Sequence, residues 1–458
     1  MSRLEFHHAI KVNESICVGC THCINACPTE AIRVKHGKAD IDGSLCVDCG
    51  ECMRACPVEA FYVEDDDLNL IEKYKYKVAL FPAVMVGQFP PNISEDNIYK
   101  ALEKIGFTDI YEVENAIQLF KETLQEYVEM SQDKPCISSY CPAIVRLIQI
   151  KFPDLVENIV LLKSPHDLAA HFLKKKLLRE GAKEEEIGIF YVTPCAAKIA
   201  SVKSPIGETQ SVIDGVINME RVYNLVMKEA ADNNELSPSF DFRKNLAGDG
   251  IRWSLVEGEA FHIDGRTFSI DGMNHVIRFL ERLENDYLPS VDFLELRACD
   301  QSCAGGILLT GNPFLTADRL KRRAARYPNE QNFAFLNNAD DKEELKKNLH
   351  SDEIPPCSTL SWDEDFMKAL EKMNKARRIM CHLPGIDCGA CGAPTCQALA
   401  KDMVMTKAKM SDCIFVQQAW EKQGRITPEN AFKNLEKKWG KNRFDVDCFK
   451  KGAKYEGG

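Results

Sequence analysis

Residues 295–306 read ELRACDQSCAGG and contain Cys299 and Cys303. Cys299 ends the mostly apolar run VDFLELRAC, and Cys303 follows four residues later. A short apolar run of this kind is typical of a buried parallel strand. Ligand sites form beyond the carboxyl ends of parallel strands, so the two cysteines are expected at such a site. Because they are i and i+4, they share one face if the turn between them is helical.

Three similar runs precede this one, and each predicts a buried parallel strand: KVALFPAVMV, ENIVLLKSP and EIGIFYVTP. A helix is predicted between the last two runs, with Ser164 as its N-cap, Pro165 at its first position and Gly181 past its end. Strand-like runs that alternate with helices predict an α/β fold.

Other residues also follow the ends of predicted strands. Cys195 follows IFYVTP, and Pro82 with Ala83 follows VALF, so these positions are expected to converge with Cys299. Four thiolates could then hold an iron–sulfur cubane, those of Cys141, Cys195, Cys299 and Cys303. The alternative is that each cysteine is a small core hydrophobe.

Three segments around these cysteines decide between the two interpretations: SSYCPA (138–143), TPCAAK (193–198) and ELRACDQSCAGG. In this order they resemble the signature motifs of the [FeFe]-hydrogenase catalytic domain, over most of residues 78–325. The resemblance implies that the four cysteines hold the [4Fe-4S] part of an H-cluster. It also implies that Cys303 bridges to a two-iron subsite bearing CO, cyanide and a bridging dithiolate. Lys198 would donate to one cyanide, and Pro82 and Ala83 would line the other.

The sequence departs from the family pattern at several positions. Tyr140 replaces a cysteine that shuttles protons, and Ser201 replaces a glutamate of the proton path. Thr193 and Arg297 stand where the family has methionines, and the third motif keeps only Gly305–Gly306. A phenol, with a pKa of ~10 against ~8.5 for a thiol, is a poorer relay near neutral pH. These departures resemble the sensory, low-turnover branch of the family.

The amino-terminal segment contains the run C-x2-C-x2-C-x3-C-P twice, as in bacterial two-cluster ferredoxins. The fourth cysteine of each run serves the other cluster in such proteins. Zinc also takes four cysteines, but it does not explain the doubled run. The predicted ligand sets are Cys17, Cys20, Cys23 and Cys56 for cluster one, and Cys46, Cys49, Cys52 and Cys27 for cluster two.

A third group of cysteines has the spacing C-x2-C-x4-C-x16-C and consists of Cys388, Cys391, Cys396 and Cys413. It resembles the four-cysteine iron–sulfur domain of Rnf-complex B subunits, which implies one more [4Fe-4S] cluster, with structural zinc as the alternative. Core or surface thiols are the interpretation for the remaining cysteines, although Cys381 is near enough in sequence to be a spare ligand. These remaining residues are Cys136, Cys357, Cys381 and Cys448.

Composition limits the remaining possibilities. The chain has 458 residues, 20 cysteines and a net charge of −11, which argues against binding to nucleic acid or an anionic membrane. No stretch approaches a membrane span and the start lacks a signal peptide, so a cytoplasmic location is expected. In that reducing compartment, clustered cysteines indicate metal ligands rather than disulfides.

The predicted domains are a ferredoxin domain at 1–70, a hydrogenase-like domain at 71–360, a four-cysteine domain at 361–415 and a polar helical tail at 416–458. The fold class is therefore α/β with parallel sheets, flanked by an α+β ferredoxin-like domain and a small iron–sulfur domain. The acidic run at 64–67 is interpreted as a solvated linker. The basic segment at 318–327 is interpreted as a solvated helix face rather than a docking surface.

Three functions are compatible with these features. The first is a slow hydrogenase-like enzyme or a sensor of H2 or redox state, with H2 and protons as substrates and a redox or signalling protein as partner. The second is a non-enzymatic iron–sulfur assembly protein without the two-iron subsite. The third is a plain electron carrier. Lys198 and Cys303, which are both present, favour the first.

Overall fold

The computed structural model describes residues 6–206, 210–230, 246–285, 290–329, 339–357, 362–363 and 365–444. The chain folds as two compact units, each built from separate stretches of sequence. The first unit consists of Met1–Ala9, Val47–Cys49 and Val63–Cys357, and the second of Ile10–Cys46, Gly50–Tyr62 and Ser358–Gly458.

Strands and helices are numbered in chain order. The strands are β1 Ile10–Val12, β2 Ile32–Lys35, β3 Lys38–Ile41, β4 Phe61–Val63, β5 Tyr76–Phe81, β6 Asp109–Glu112, β7 Cys136–Ile137, β8 Ile187–Thr193, β9 Gly215–Asn218, β10 Thr267–Asp271 and β11 Phe293–Arg297. The helices are α1 His22–Ala26, α2 Glu51–Arg54, α3 Val84–Gln88, α4 Glu95–Ile105, α5 Ile117–Met130, α6 Pro142–Lys151, α7 Pro165–Arg179, α8 Ala196–Lys203, α9 Met219–Ala230, α10 Gly248–Arg252, α11 Met273–Leu283, α12 Pro313–Ala324, α13 Ala339–Leu349, α14 Phe366–Met380, α15 Cys396–Val404, α16 Ile414–Lys422 and α17 Pro428–Trp439. None of these helices is both long and apolar enough to cross a membrane.

The first unit contains two parallel sheets. One has four strands in the order β6-β5-β8-β9, and the other has three in the order β10-β11-β7. All residues of β8 and β11 are buried, as expected for parallel strands that are covered on both faces. The predicted α/β fold with parallel sheets is confirmed, and three of the four apolar runs form strands, namely β5, β8 and β11.

The fourth apolar run, ENIVLLKSP, is not a strand. Ile159 makes an isolated parallel bridge to Ile137, and Leu162 makes an isolated antiparallel bridge to His350. The reason is that consecutive backbone groups bond to different partners, so no ladder forms: Val160 N donates to Ile137 O and Lys163 N to Leu349 O. The helix predicted after this run is present as α7, with Ser164 as N-cap and Pro165 in its first turn.

The acidic run at 64–67 is not a solvated linker, and that interpretation was wrong. Asp66 accepts a hydrogen bond from the Val216 amide at 2.8 Å, and Asp65 accepts one from the Asn218 amide at 2.9 Å. Both amides lie on β9, the last strand of the four-stranded sheet. The carboxylates therefore satisfy backbone donors that an edge strand would otherwise leave open.

The basic helix α12 is only partly solvated. Arg323 is buried, with its side chain 2% exposed, and it forms ion pairs with Glu112 at 2.7 Å and Glu95 at 2.8 Å. A charge at this depth is tolerated because two carboxylates surround it. Its neighbour Arg322 is exposed and pairs within the helix with Asp318.

The second unit joins the amino-terminal cysteine runs to the last segment of the chain. It contains the two-stranded sheet β1-β4, the antiparallel hairpin β2-β3 and helices α14 to α17. A small apolar core lies around the third cysteine group and includes Cys391, Leu399 and Val416.

Candidate metal centres

The four cysteines predicted to hold the cubane of the middle site line one cavity of about 30 Å³. They are Cys141, Cys195, Cys299 and Cys303. Four converging thiols are the donor set of a [4Fe-4S] cluster, so this chemistry fits the group that the sequence implies. Cys49, a predicted ligand of cluster two, lines the same cavity.

The cavity lies where strands from both parallel sheets end. Cys195 follows β8 and caps α8, whereas Cys141 follows β7 and caps α6, with Pro142 at the first helical position. Cys299 follows β11, and Cys303 lies in a 3-10 turn at Ser302–Gly305. The predicted convergence at strand ends is therefore present, but it draws on two sheets.

The turn between Cys299 and Cys303 is not the α-helical turn that would place them on one face. Gln301 and Ser302 have left-handed backbone conformations, with φ of 61° and 51°. The reversal still directs both cysteines to the cavity. Gly305 and Gly306 permit it, since a Cβ at these positions would lie 1.9 Å from the Asp300 oxygen and 2.5 Å from the Pro194 oxygen.

Burial opposes ionisation of the free thiols. It raises the pKa of Cys195 to about 12 and also raises the pKa of Cys141. Backbone amides act in the opposite direction: those of Ala298 and Ile144 lower the pKa of Cys141, and that of Lys198 lowers the pKa of Cys195. Amide donors at the sulfurs would also stabilise a negatively charged cluster.

Tyr140 lies beside this site and interacts with two cations. Lys198 Nζ is 4.0 Å and Arg297 Cζ is 3.9 Å from the centre of the phenol ring. The hydroxyl lies 3.2 Å from Ser254 Oγ and 4.0 Å from Cys303 Sγ. Burial, followed by the neighbouring Cys303, raises the pKa of Tyr140 well above its ordinary value of 10.

Arg297 belongs to a buried network that sequence reasoning did not anticipate. Its Nη2 donates to Glu259 Oε2 at 2.7 Å, and its Nε donates to Glu295 Oε1 at 3.4 Å. Glu259 in turn accepts from Ser138 Oγ, which accepts from the Tyr140 amide. The alternation of Glu295 and Arg297 within an otherwise apolar strand is the signal that could have revealed it.

Two residues that line the cavity each have a buried polar atom without a hydrogen-bond partner among the described residues. Within the described part of the chain, neither Arg297 Nη1 nor Ser302 Oγ has a hydrogen-bond partner, and both residues line the cavity. Lys198 lines it as well, and although burial opposes its charge, Tyr140, Tyr191 and the thiols raise its pKa well above the ordinary value. These donors suit a group with anionic ligands.

Three predicted residues lie away from the cavity lining. Pro82 and Ala83 follow β5, and Ala83 donates its amide to Glu114 Oε1 at 2.7 Å rather than facing the cavity. Ala83 does belong to the apolar cluster against which Cys303 packs. Ser201 donates to Lys198 O at 3.0 Å and lines a separate cavity of about 90 Å³ together with Ser139 and His166.

Thiols from both amino-terminal cysteine runs lie near one another, as a crossed ligand pattern requires, although Cys49 lines the middle cavity. Burial raises the pKa of Cys23 to about 12, and the neighbouring thiols that add to this effect are Cys20, Cys17 and Cys56, the other members of the predicted cluster-one set. Burial likewise raises the pKa of Cys52, with Cys46 and Cys27 of the cluster-two set adding most after it. Backbone amides donate to the sulfurs, as Ala39 does to Cys17 at 3.3 Å and Ala31 to Cys27 at 3.2 Å.

The third group of cysteines also converges. Cys388, Cys391, Cys396 and Cys413 line a cavity of about 10 Å³. Cys381 is not among its lining residues; it is exposed and donates to Arg377 O at the end of α14.

The other leftover cysteines have different surroundings. Cys136 is buried on β7, and Cys357 accepts from Arg146 at 2.6 Å. Cys448 lies outside the described residues.

Comparison with family models finds a matching family for each of the three cysteine-bearing segments. Residues 75–252 match the family described as "Iron only hydrogenase large subunit, C-terminal domain". Residues 16–60 match a "4Fe-4S dicluster domain", and residues 383–415 match a "Putative Fe-S cluster" family. The resemblance to the [FeFe]-hydrogenase family is therefore confirmed, and the chain is a hydrogenase-like iron–sulfur protein with ferredoxin-type segments.

Individual relatives are distant. Iron hydrogenase 1 of Clostridium pasteurianum is 25% identical over 295 residues, which are 52% of this chain and 50% of that protein. The match thus spans about half the length of that relative. Among solved structures, the [FeFe]-hydrogenase HydA(deltaEFG) is 15% identical with a TM-score of 0.46, over 63% of this chain and 98% of the other. A variant of HydA1 from Chlamydomonas reinhardtii is 14% identical with a TM-score of 0.45, over 63% of this chain and 98% of the other.

Proposed function

We propose that this chain binds an H-cluster in the middle cavity and reacts slowly with H2, according to H2 = 2 H+ + 2 e−. It serves as a sensor of H2 or redox state in the cytoplasm. Its accessory [4Fe-4S] clusters, two in the amino-terminal segment and one in the carboxy-terminal segment, carry electrons to or from a redox or signalling protein. In this proposal the clusters are carried by the segments expected from sequence, at 1–70, 71–360 and 361–415, and the tail at 416–458 carries none.

One observation carries this proposal. Four cysteines and the buried side chain of Lys198 line one cavity, and the buried Tyr140 stands at the position of the proton-shuttling cysteine. The cysteines supply ligands for a cubane, and Lys198 supplies a donor for an anionic cyanide. A plain electron carrier needs the thiols but has no need of a buried ammonium group beside them.

When bound, the two-iron subsite would supply an open iron position for heterolytic cleavage of H2. The chain itself has to hold the cofactor and move the proton. Lys198 and Arg297 would neutralise its negative charge, and Cys303 would hold it together with the other three cysteines. The Tyr140 hydroxyl is a poor proton carrier near neutral pH, because its pKa lies well above the ordinary phenol value. Slow turnover follows from this property.

A second candidate function is supported by the positions of Pro82 and Ala83. Both residues lie away from the cavity lining, although the resemblance implies that they contact a cyanide ligand. An iron–sulfur assembly or electron-transfer protein that holds the cubane without the two-iron subsite would have this feature.

Infrared spectroscopy of the full chain distinguishes these functions. The protein is produced with and without the hydrogenase maturation enzymes, and the spectra are compared under H2 and under CO. Bands of metal-bound CO and cyanide that appear only after maturation, and that shift under H2, support the H-cluster. A Lys198→Met variant, which keeps side-chain length without the charge, should lose most of these bands. Their absence from matured wild-type protein with a complete middle cubane would favour the second candidate.

A further inference from the structure

We propose that the β2-β3 hairpin is the electron path between cluster one and the carboxy-terminal cluster, so that the third cluster exchanges electrons directly with the ferredoxin segment. This inference rests on the proposed function, because it takes the two ligand sets to hold [4Fe-4S] clusters. The step moves one electron from a reduced cubane to an oxidised one, without making or breaking a bond. H2 oxidation or dithionite supplies the electron.

The path consists of three consecutive contacts in the second unit. Ala39 N donates to the Cys17 sulfur at 3.3 Å, and Ala39 is the cross-strand partner of Val34. Val34 N donates to Gly392 O at 2.8 Å, and Gly392 is bonded to Cys391. A ligand of each cluster is thus connected to the other by two hydrogen bonds and the width of one hairpin, whose strands lie ~4.8 Å apart.

Strand geometry explains why the pair Val34 and Ala39 can contact a ligand of cluster one on one side of the hairpin and the loop of the third site on the other. Cross-strand pairs of an antiparallel ribbon alternate between those that exchange backbone hydrogen bonds and those whose amides point outward. Val34 and Ala39 are an outward-pointing pair, since one amide donates to Gly392 and the other to the Cys17 sulfur. Their side chains are buried, which excludes water from this part of the path.

Close backbone packing holds the carboxy-terminal loop against the hairpin. Gly392 has a φ of +80°, and a Cβ there would lie 2.7 Å from Val34 O and 3.1 Å from Lys438 Cδ. At the turn of the hairpin, a Cβ on Gly37 would lie 2.4 Å from Trp439 O. Such contacts leave no room for side chains, so the path depends on glycine at both positions.

Polar contacts surround the glycine contacts. Arg33 Nε donates to Asp402 Oδ2 at 2.6 Å, with both side chains mostly buried. Thr395, the N-cap residue of α15, donates to Glu30 at 3.3 Å. The Trp439 indole donates to Ala390 O at 3.0 Å, beside Cys391. A cluster bound at the third site would therefore be held in one orientation toward the hairpin.

The test measures magnetic coupling between clusters in the full-length, reconstituted protein. Dithionite-reduced samples are examined by electron paramagnetic resonance, together with iron content and the signal of each cluster. Wild-type protein should show spin–spin coupling between cluster one and the third cluster. Gly392→Ala should lose that coupling, because the added Cβ meets the Val34 backbone. Gly389→Ala is the matched control, since Gly389 lies in the same loop with a φ of +69° and has no contact closer than 3.9 Å.

A second variant keeps the proposal testable if Gly392→Ala loses its cluster. Cys388 is an exposed predicted ligand, so Cys388→Ala removes the third cluster without changing the hairpin contact. The cluster-one signal should then become that of an isolated cluster. Wild-type protein that holds both clusters without coupling, or an empty third site, overturns the inference. Unchanged coupling in a fully loaded Gly392→Ala variant overturns it as well. Loss of the infrared bands alone would concern only the proposed H-cluster.

Discussion

Tyr140 places a buried phenol beside two cations and the Cys303 thiol. Its phenol ring lies beside the ammonium of Lys198 and the guanidinium of Arg297, where cation–π attraction favours both charges. The same burial that stabilises this arrangement raises the pKa of the Tyr140 hydroxyl and disfavours proton transfer through it. Under the proposed function, the residue would favour binding of an anionic cofactor and slow the release of protons.

Tyr140→Cys should accelerate hydrogen evolution in protein that carries the H-cluster. A general acid–base step contributes ~10²–10⁴-fold to a rate, and the thiol should recover part of this factor. The measurement is H2 evolution from reduced viologen, with cofactor occupancy determined by infrared spectroscopy. Tyr140→Phe keeps the ring and removes the hydroxyl, so it should give no acceleration. High turnover of fully loaded wild-type protein would show that protons take another path.

The outer part of the proton path can be tested by a double substitution. Ser201 donates its hydroxyl to the Lys198 carbonyl and supplies no carboxylate. Tyr140→Cys combined with Ser201→Glu should exceed the combined effect of the single changes, since a relay works only when consecutive groups are present. Additive effects on the logarithm of the rate would contradict a shared relay.

Glu114 is a buried carboxyl group that accepts the Ala83 amide. Burial, with Glu112 adding to it, raises the pKa of Glu114 from 4.5 to about 8. Folded protein therefore binds more protons than unfolded protein between these values, and its stability should fall as the pH rises through this range, by at most about 1.4 kcal/mol per pH unit. Glu114→Gln keeps the acceptor for Ala83 and should remove this dependence. Urea unfolding at several pH values between about 5 and 8 measures it; parallel pH profiles for both proteins would contradict the prediction.

At the scale of elements, the 3-10 turn at Ser302–Gly305 places Cys303 at the lining of the middle cavity. It reverses the chain after β11 and brings Cys303 to the cavity that Cys141 and Cys195 reach from helix N-termini. The turn depends on contact between Gly305 and the Asp300 carbonyl, which no larger residue can make.

Gly305→Ala should therefore remove the middle cubane and leave the other clusters in place. A Cβ 1.9 Å from the Asp300 oxygen forces the turn to shift, and the Cys303 ligand moves with it. Iron content should fall by about four per chain, the content of one cubane. Gly311→Ala is the control, because its nearest neighbour is the Thr316 hydroxyl at 3.1 Å, a side chain that can rotate. A full complement of iron in Gly305→Ala would show that the turn tolerates the shift.

At the scale of the whole molecule, the two compact units do not follow the order of the chain. The second unit combines residues from the amino-terminal runs with the last hundred residues, while Val47–Cys49 belong to the first unit. Only the second ferredoxin cysteine run is divided in this way, because its Cys49 belongs to the first unit and lines the cavity of the middle site. The first run lies wholly in the second unit, where Cys17 accepts the Ala39 amide of the hairpin that reaches the third site.

Four filled cysteine sets predict about sixteen irons per chain, and about eighteen after maturation. Iron and sulfide analysis of anaerobically reconstituted protein measures this number, and Mössbauer spectroscopy assigns the cluster type. About eight irons with intact cysteines would mean that the middle and third sites are empty. Zinc in the third site would replace one cubane and reduce the total by about four.

Local sequence was sufficient to predict the α/β fold class and to identify which cysteines form groups. Short spacings such as C-x2-C place thiols near one another whatever surrounds them, and runs of buried apolar residues predicted β5, β8 and β11. The run containing Ile159 was wrongly assigned to a strand, because strand formation depends on a neighbouring ladder that the sequence of that run does not contain.

Only the tertiary structure decided where charges and amides distant in sequence would meet. The burial of Arg323 between Glu95 and Glu112, the pairing of Asp65 and Asp66 with β9, and the position of Arg297 over Tyr140 all depend on long-range contacts. The same holds for the contact between Val34 and Gly392, which are distant in sequence and joined by one backbone hydrogen bond. Composition and periodicity indicate whether a residue prefers burial. They do not identify the group that pairs with a buried charge or amide, because that group comes from another part of the chain and is brought near only by the fold.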